Sequence, residues 1–295
     1  MQEEIVRASS GKAFRVGLLE SDYFFGKIHG MNLFAPCYDD RYIDVLAEEI
    51  RHFPQRKFDC NIMVTGKRRR GKTTLAATAA RRIDPEFSPR QVAFEVEPWN
   101  VIIRDSPYAD PDNGILPQSI LDEAGFDLFS QNWMERVQRN IVRKLEVIGI
   151  KNIINWYVLP HRKKFNKSIR EEMIEYWLHV KLDHTGLRGL AELRQGEENI
   201  WEEEMFWRPV CAFTFDPLPE DDWWTEYTTN KRTFVDKIAA TDPSDEDMSD
   251  RGRKLIKQRN TAMKLLYRSG FGSHQAIATA MDMPKTTVDS ILNNA

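Results

Sequence analysis

The sequence predicts an α/β protein: a three-layer core around a mostly parallel sheet, followed by a small all-α unit. Three observations predict it. Short apolar runs that suit buried strands alternate with amphipathic runs at helical spacing between residues 58 and 182. A glycine-flanked basic turn, Gly66 to Thr73, stands between one such strand and one such helix. Beyond Phe215 the pattern breaks up, and the C-terminal segment 251–295 carries a charge balance of its own.

The 295 residues are 41% apolar and 29% charged, which excludes disordered, collagenous and membrane-spanning classes. No run approaches the ~20 apolar residues that a spanning helix needs, so no membrane-spanning segment is expected. The start, Met1-Gln2-Glu3-Glu4, lacks the basic and apolar regions of a secretory signal. Cys37, Cys60 and Cys211 are scattered and odd in number, which argues against a disulfide framework or zinc knuckle. A reducing, cytoplasmic setting is expected. The net charge of −3 conceals a division. Residues 251–295 hold eight Lys/Arg against two Asp, a balance of +6, and the rest holds 34 basic and 43 acidic groups, a balance of −9. Such asymmetry points to nucleic acid at the basic end.

Four segments follow: an N-terminal arm (1–50), a core (51–215), an extension with an acidic linker (216–250) and a C-terminal module (251–295). Tyr42 to Phe53 places Ile43, Val45, Leu46 and Ile50 at helical spacing, after a stretch broken by Gly26, Gly30 and Pro36. Phe58 to Thr65 is a buried strand, and Thr73 to Ile83 a helix stopped by Asp84-Pro85. Val92 to Val96 is a second strand, and Asp105 to Gly114 a surface loop. Ile115 to Leu121 returns to apolar character, although Pro117 and Gln118 interrupt it. Trp133, Val137, Ile141, Leu145 and Ile148 form one face of a helix over 131–148. Lys151 to Leu159 is a strand ended by Pro160, and Ile169 to Val180 reads equally as helix or strand. The linker, Asp242 to Asp250, has five acids among nine residues.

Gly66-Lys67-Arg68-Arg69-Arg70-Gly71-Lys72-Thr73, followed by Thr74, fits the phosphate-loop spacing G-x-x-x-x-G-K-[ST] throughout. The glycines let successive backbone N–H groups converge on phosphate oxygens, and the helix adds its positive end. Lys72 is expected to reach the β- and γ-phosphates of ATP, and the Thr73 hydroxyl to ligate Mg²⁺. The arginines Arg68, Arg69 and Arg70 either point into solvent, the ordinary place for loop side chains, or face a neighbouring subunit or DNA.

Ser119-Ile120-Leu121-Asp122-Glu123 resembles a Walker B strand end. Asp122 would order the Mg²⁺ hydration shell, and Glu123 would polarise the attacking water. That order suits P-loop ATPases with a catalytic glutamate, of the ASCE, RecA-like kind, rather than GTPases of the Ras kind.

The succession of Gly66–Thr73, Leu121-Asp122-Glu123-Ala124-Gly125, a long helix, Ile153–Pro160 and Ser168-Ile169-Arg170 resembles the DNA-pumping ATPases. These are the FtsK–HerA group, viral genome-packaging ATPases and the Zot-like phage proteins, and the resemblance covers roughly residues 58–182. It implies an ATP-hydrolysing homo-oligomeric ring, usually a hexamer, with Mg²⁺ at the nucleotide. Where many members have Thr-Gln after the sensor strand, this chain has Pro160-His161, which makes His161 the stand-in for the polar sensor. An arginine donated in trans is also implied, with Arg170 and Arg143 preferred over Arg136, Arg139 and Arg162. Lys163, Lys164 and Lys167 either line a pore or form a solvated basic loop.

Three short helices are predicted at the C-terminus: Thr261–Ser269, His274–Met281 and Lys285–Leu292. The last two resemble a helix-turn-helix, with Ile277 and Ala278 at the close crossing and Val288 and Ile291 on the buried face. Lys285, Thr286, Thr287 and Arg268 are the expected DNA contacts. Asp282 stands where the turn usually has glycine. No acid occurs from 251 to 281 against seven Lys/Arg, which favours DNA over a protein-docking module. Trp201, Trp207, Trp223 and Trp224 read as packing residues, and the histidine spacing suggests no metal beyond Mg²⁺.

The sequence therefore predicts a motor that moves or packages double-stranded DNA for a virus, prophage or mobile element, in host cytoplasm if viral, with a capsid or portal component as a further partner. Two alternatives stay open. A replication initiator or helicase loader would join the same parts but carry a sensor arginine in a helical lid, which the sequence does not display. An ATP-gated DNA-binding regulator would use the nucleotide as a switch.

Overall fold

In the computed structural model, the described residues are 2–19, 24–28, 31–122, 149–165, 167–182, 186, 189–199, 204–240, 250–270, 273–281 and 283–293. They form two compact units, Met1–Asp236 and Lys237–Ala295. Glu123, Arg136, Arg139, Arg143, Asp282, Trp201 and the predicted helix over 131–148 lie outside the described residues.

The first unit is α/β. Its mixed sheet contains β1 (Gln2–Arg7), β2 (Ala13–Leu18), β5 (Cys37–Tyr38), β6 (Cys60–Gly66), β7 (Val92–Ala93), β8 (Gln118–Leu121), β9 (Ile154–Leu159), β10 (Tyr176–Leu182), β11 (Gly189–Asn199) and β12 (Glu204–Phe215). The spatial order is β1-β2-β5-β12-β11-β10-β6-β9-β8-β7. From β10 to β7 all pairings are parallel. On the other side β10, β11 and β12 run antiparallel, β12 and β5 parallel, and β5, β2 and β1 antiparallel. β3 (Phe24–Ile28) and β4 (Met31–Phe34) pair with each other apart from this sheet.

Helices cover both faces of the parallel half. On one face α1 (Tyr42–Gln55) and α2 (Lys72–Ile83) bury Leu46, Ile50, Leu75 and Ala80 against Ile62, Val64, Trp156 and Val158. On the other, α3 (Val96–Asp105) and α4 (Lys167–Glu172) bury Trp99, Ile103 and Ile169 against Met63, Leu121, Tyr157 and Leu159. Burial on both faces is why β6 and β9 read as continuous apolar runs rather than alternating ones.

Buried polar side chains on β6, β8 and β9 are hydrogen-bonded to one another, to core indoles and to the α2 backbone. Gln118 donates to the Ala80 carbonyl at 2.9 Å and accepts from the Trp156 indole at 3.3 Å. The Ser119 hydroxyl donates to Asn155 at 2.8 Å and accepts from Trp99 at 3.0 Å, while Asn155 donates to Asn61 at 3.0 Å. Such pairing removes the penalty, about 1–3 kcal/mol per group, of burying polar atoms unbonded. Gln118 thus belongs to a short central strand despite its polarity.

Several segments differ from the sequence reading. Residues 1–50, read as an arm, supply β1, β2 and β5 to the main sheet and most of α1. Ile169 to Val180 divides into the end of α4 and most of β10. The extension after Phe215 contains a helix, α5 (Asp222–Ala240), anchored on the core through Trp223 and Tyr227. Trp223 stacks on Phe87 and Tyr227, and Arg81 on α2 pairs with Asp221 at 2.7 Å. Trp207 and Trp223 are buried, and Trp224 packs against the same core.

The second unit contains α6 (Asp250–Arg268), α7 (His274–Ala280) and α8 (Lys285–Asn293), with α6 starting well before the predicted Thr261. Met263, Ile277, Ala278, Val288 and Leu292 form its core. The Ser273 hydroxyl caps α7 by accepting from the Ala276 N–H, and His274 meets Asp289 on α8 at 2.7 Å. No described helix is long and apolar enough to cross a membrane.

Candidate active site

The site lies where β6 turns into α2. Gly66 ends the strand at φ +154°, and a Cβ there would stand 2.4 Å from the Val180 carbonyl oxygen of β10. Only glycine fits, because the contact is with backbone. The loop then turns through left-handed Arg69 (φ 58°) and Gly71 (φ 85°) before α2 begins at Lys72. Beneath Gly71 lies the Phe215 ring at the end of β12, 3.1 Å from where a Cβ would be. The same ring fills the space over Gly189, whose Cβ would meet it at 2.1 Å. Lys67, Arg68 and Arg69 are exposed, Arg70 half-buried, and Thr74 half-buried within the first turn of α2. The Lys72 side chain folds back on the loop, its ammonium donating to the Lys67 carbonyl at 3.2 Å.

Asp122, at the end of β8, is completely buried, and its N–H is held by the Ala93 carbonyl of β7 at 2.8 Å. The fold joins it to Thr73: the Thr73 hydroxyl donates to Asp122 Oδ1 at 2.9 Å. This is the pair that the two motifs predict, brought together across 49 residues. The other oxygen, Oδ2, accepts from the Tyr227 hydroxyl at 2.6 Å and from the Lys231 ammonium at 2.8 Å, both on α5. Lys231 also lies 3.1 Å from the Tyr227 oxygen and 6.0 Å from the Phe94 ring centroid.

Tyr227 and Lys231 are the site residues that sequence reasoning missed. One turn of helix separates them, which puts both on one face, but nothing local marks their distant partner. Their only sequence trace is the aromatic cluster Trp223-Trp224…Tyr227.

His161 follows β9 and is exposed. Its Nδ1 accepts from the Lys163 N–H at 3.1 Å, which caps the short turn over Arg162–Lys164 and leaves the ring proton of the neutral form on Nε2. Arg170 on α4 is mostly buried and pairs with its neighbour Glu171 at 2.8 Å. In the second unit Lys285, Thr286 and Arg268 are exposed and Thr287 is half-buried at the start of α8.

No family model and no curated protein matches this chain. The site therefore rests on its own geometry. A strand, a glycine-bounded turn and a helix present backbone N–H groups, one lysine ammonium and a hydroxyl–carboxylate pair within a single locality. That set can hold a phosphate chain together with a hard cation.

Proposed function

We propose that the chain is an ATPase of the P-loop class, with a helix-turn-helix DNA-binding module at its C-terminus, that moves or packages double-stranded DNA. The observation that carries the reading is the Thr73–Asp122 hydrogen bond at the mouth of the Gly66–Thr73 loop. A hydroxyl following the loop lysine and a buried strand-end carboxylate are the two groups that Mg²⁺ needs from the protein in such a site.

The residues fit that ion. Asp122 is fully buried and already faces a cation, the Lys231 ammonium, so its position is one that takes a positive partner. Bound there, Mg²⁺ would neutralise charge on the phosphate oxygens. Lys72 would exchange the Lys67 carbonyl for the β- and γ-phosphates, and the loop N–H groups would hold the rest of the chain. Glu123, next in sequence to Asp122, would take a proton from the attacking water. His161 would offer its Nε2–H as the polar sensor, and a neighbouring subunit of a ring would supply Arg170 or Arg143. In the C-terminal module, exposed Lys285, Thr286 and Arg268 would meet DNA, favoured by the +6 charge of residues 251–295.

A second reading, an ATP-gated switch or initiator-type loader, is favoured by Lys231. It is a cation delivered to the site by a helix that follows the sheet, and its release from Asp122 would link nucleotide state to the position of α5.

The deciding experiment is ATP turnover as a function of DNA length. A motor requires turnover that rises many-fold with long duplex of unrelated sequence, whereas saturation by one short operator supports the switch. Lys72→Ala and Glu123→Gln should each abolish hydrolysis, and substantial residual turnover in either variant rejects the assigned roles.

A further inference from the structure

Behind the phosphate loop, on the face of the sheet that carries α3 and α4, Thr65, His161, Arg162, Trp177, His179, Lys181, Glu192 and Arg194 line an open cleft of about 260 Å³. Thr65 and His179 are register partners on β6 and β10, so their side chains emerge side by side. They are wired together. An indole N–H can only donate, so Trp177 gives its proton to Thr65 Oγ1 at 2.7 Å. The same oxygen is hydrogen-bonded to His179 Nδ1, 2.9 Å away, as donor or as second acceptor according to the tautomer of the ring.

Trp177 also holds the cations of the cleft. The guanidinium carbons of Arg162 and Arg194 lie 5.0 and 5.1 Å from its ring centroid, within cation–π range, while Trp207 and His179 meet it edge-on. With arginines on its ring, Trp177 is a support for charge rather than a stacking platform. Glu192 is the single acid among the described residues that line the cleft, and it pairs with Lys181 and Arg194. Among the described residues, no carboxylate lies within ion-pair distance of Arg162. Burial, then the neighbouring charges of Arg170 and Arg194, holds its guanidinium below the ordinary arginine range against the opposing pull of Glu171. His179 is likewise lowered by burial, with Lys181, Arg194 and His161 adding to the effect against Glu192. A cluster of like charges is thus kept partly out of water and lined with N–H donors.

We propose that this cleft binds a phosphate group of a nucleic-acid backbone, separate from the nucleotide phosphates at Gly66–Thr73. Arg162 and Arg194 supply forked donors and Lys181 a point charge. The space suits one phosphate with its sugar, being below the usual volume of a whole-ligand pocket, about 300–1,000 Å³. The inference deepens the DNA-motor reading and rests on it for the identity of the polyanion.

The test is binding of labelled duplex and single-stranded oligonucleotides to the full chain across a salt series, without nucleotide. Arg162→Gln and Lys181→Gln should each lower the slope of log affinity against log salt by about one, uniformly across sequences. Arg162→Lys should keep the slope and thereby exclude a folding defect. Unchanged slopes in both Gln variants overturn the proposal. So does a slope that is unchanged while inorganic phosphate raises the unfolding temperature only when Arg162 is present, since the cleft is then a free-phosphate site. Reduced slopes in a chain without ATPase activity leave the cleft standing and reject the motor. Normal DNA-stimulated turnover with unchanged slopes does the reverse.

Discussion

The Lys231 ammonium lies 2.8 Å from the buried Asp122 carboxylate, although 109 residues separate the two. It stands where the proposed chemistry calls for a divalent cation. The buried carboxylate thus already has a cationic partner, with which the proposed divalent cation would compete.

Lys231→Met should therefore weaken the metal-free protein while strengthening its response to metal. Removing one partner of a buried pair destabilises by up to about 3–5 kcal/mol, and the partial exposure of Lys231 places the expected loss nearer 2. Thermal unfolding with and without Mg²⁺ reads both effects: the variant should melt lower in chelator and gain more on adding Mg²⁺. An equal gain in both proteins rejects the competition.

Tyr227→Phe removes one hydroxyl from the same carboxylate and leaves the aromatic stack with Trp223 in place. A hydrogen bond to a charged group contributes about 1.5–3 kcal/mol, so a fall of that order in unfolding free energy is expected from denaturant titration. A loss below about 0.5 kcal/mol would mean that Lys231 alone satisfies Asp122 Oδ2.

Gly66→Ala should prevent correct folding of the loop. The new methyl would sit 2.4 Å from the Val180 carbonyl, and the strand cannot withdraw without breaking its pairing with β10. Loss of soluble folded protein, or a drop of several kcal/mol, is expected. A variant that melts like the parent contradicts the close approach of β6 to β10.

The loop, its helix and the Thr73 hydroxyl were legible because their signals are local. Gly66, Gly71, Lys72 and Thr73 are fixed within eight positions, and a flanking strand and helix place them. Asp122 was legible through its position at the end of an apolar run. The clasp from α5 was not, because Tyr227 and Lys231 look like any surface helix pair until the chain has closed. Gln118 blurred the inner length of the strand that ends at Asp122: its polarity interrupts the apolar run, and only its partners at Ala80 and Trp156 show why it can be buried. The hairpin of β11 and β12 was missed because Arg194, Glu197 and Arg208 break the apolar pattern, while Arg208 pairs with Glu197 across the strands.

Acidification should destabilise the first unit through His179. Burial holds it below the ordinary value of 6.5. As pH falls through that value the unfolded chain takes up the proton first, so stability is lost from about pH 7 downward until the folded histidine also titrates. His179→Gln, which can still hydrogen-bond the Thr65 hydroxyl, should flatten this decline in urea midpoints between about pH 7.5 and 5. Parallel declines in the two proteins would assign the acid sensitivity elsewhere.

The Phe215 ring has a consequence for how this chain tolerates change. It sits against both Gly71 and Gly189, so part of what looks like a requirement for phosphate is a requirement to accommodate a benzyl group from the far end of β12. Gly189 has no unusual backbone angle of its own. Its smallness is imposed from the neighbouring strand, and it should become negotiable once residue 215 shrinks. Positions 189 and 215 should then form a compensating pair: Gly189→Ala is expected to be harmful beside phenylalanine and tolerated beside leucine or valine. A reader of variants in this protein would have to score the two together.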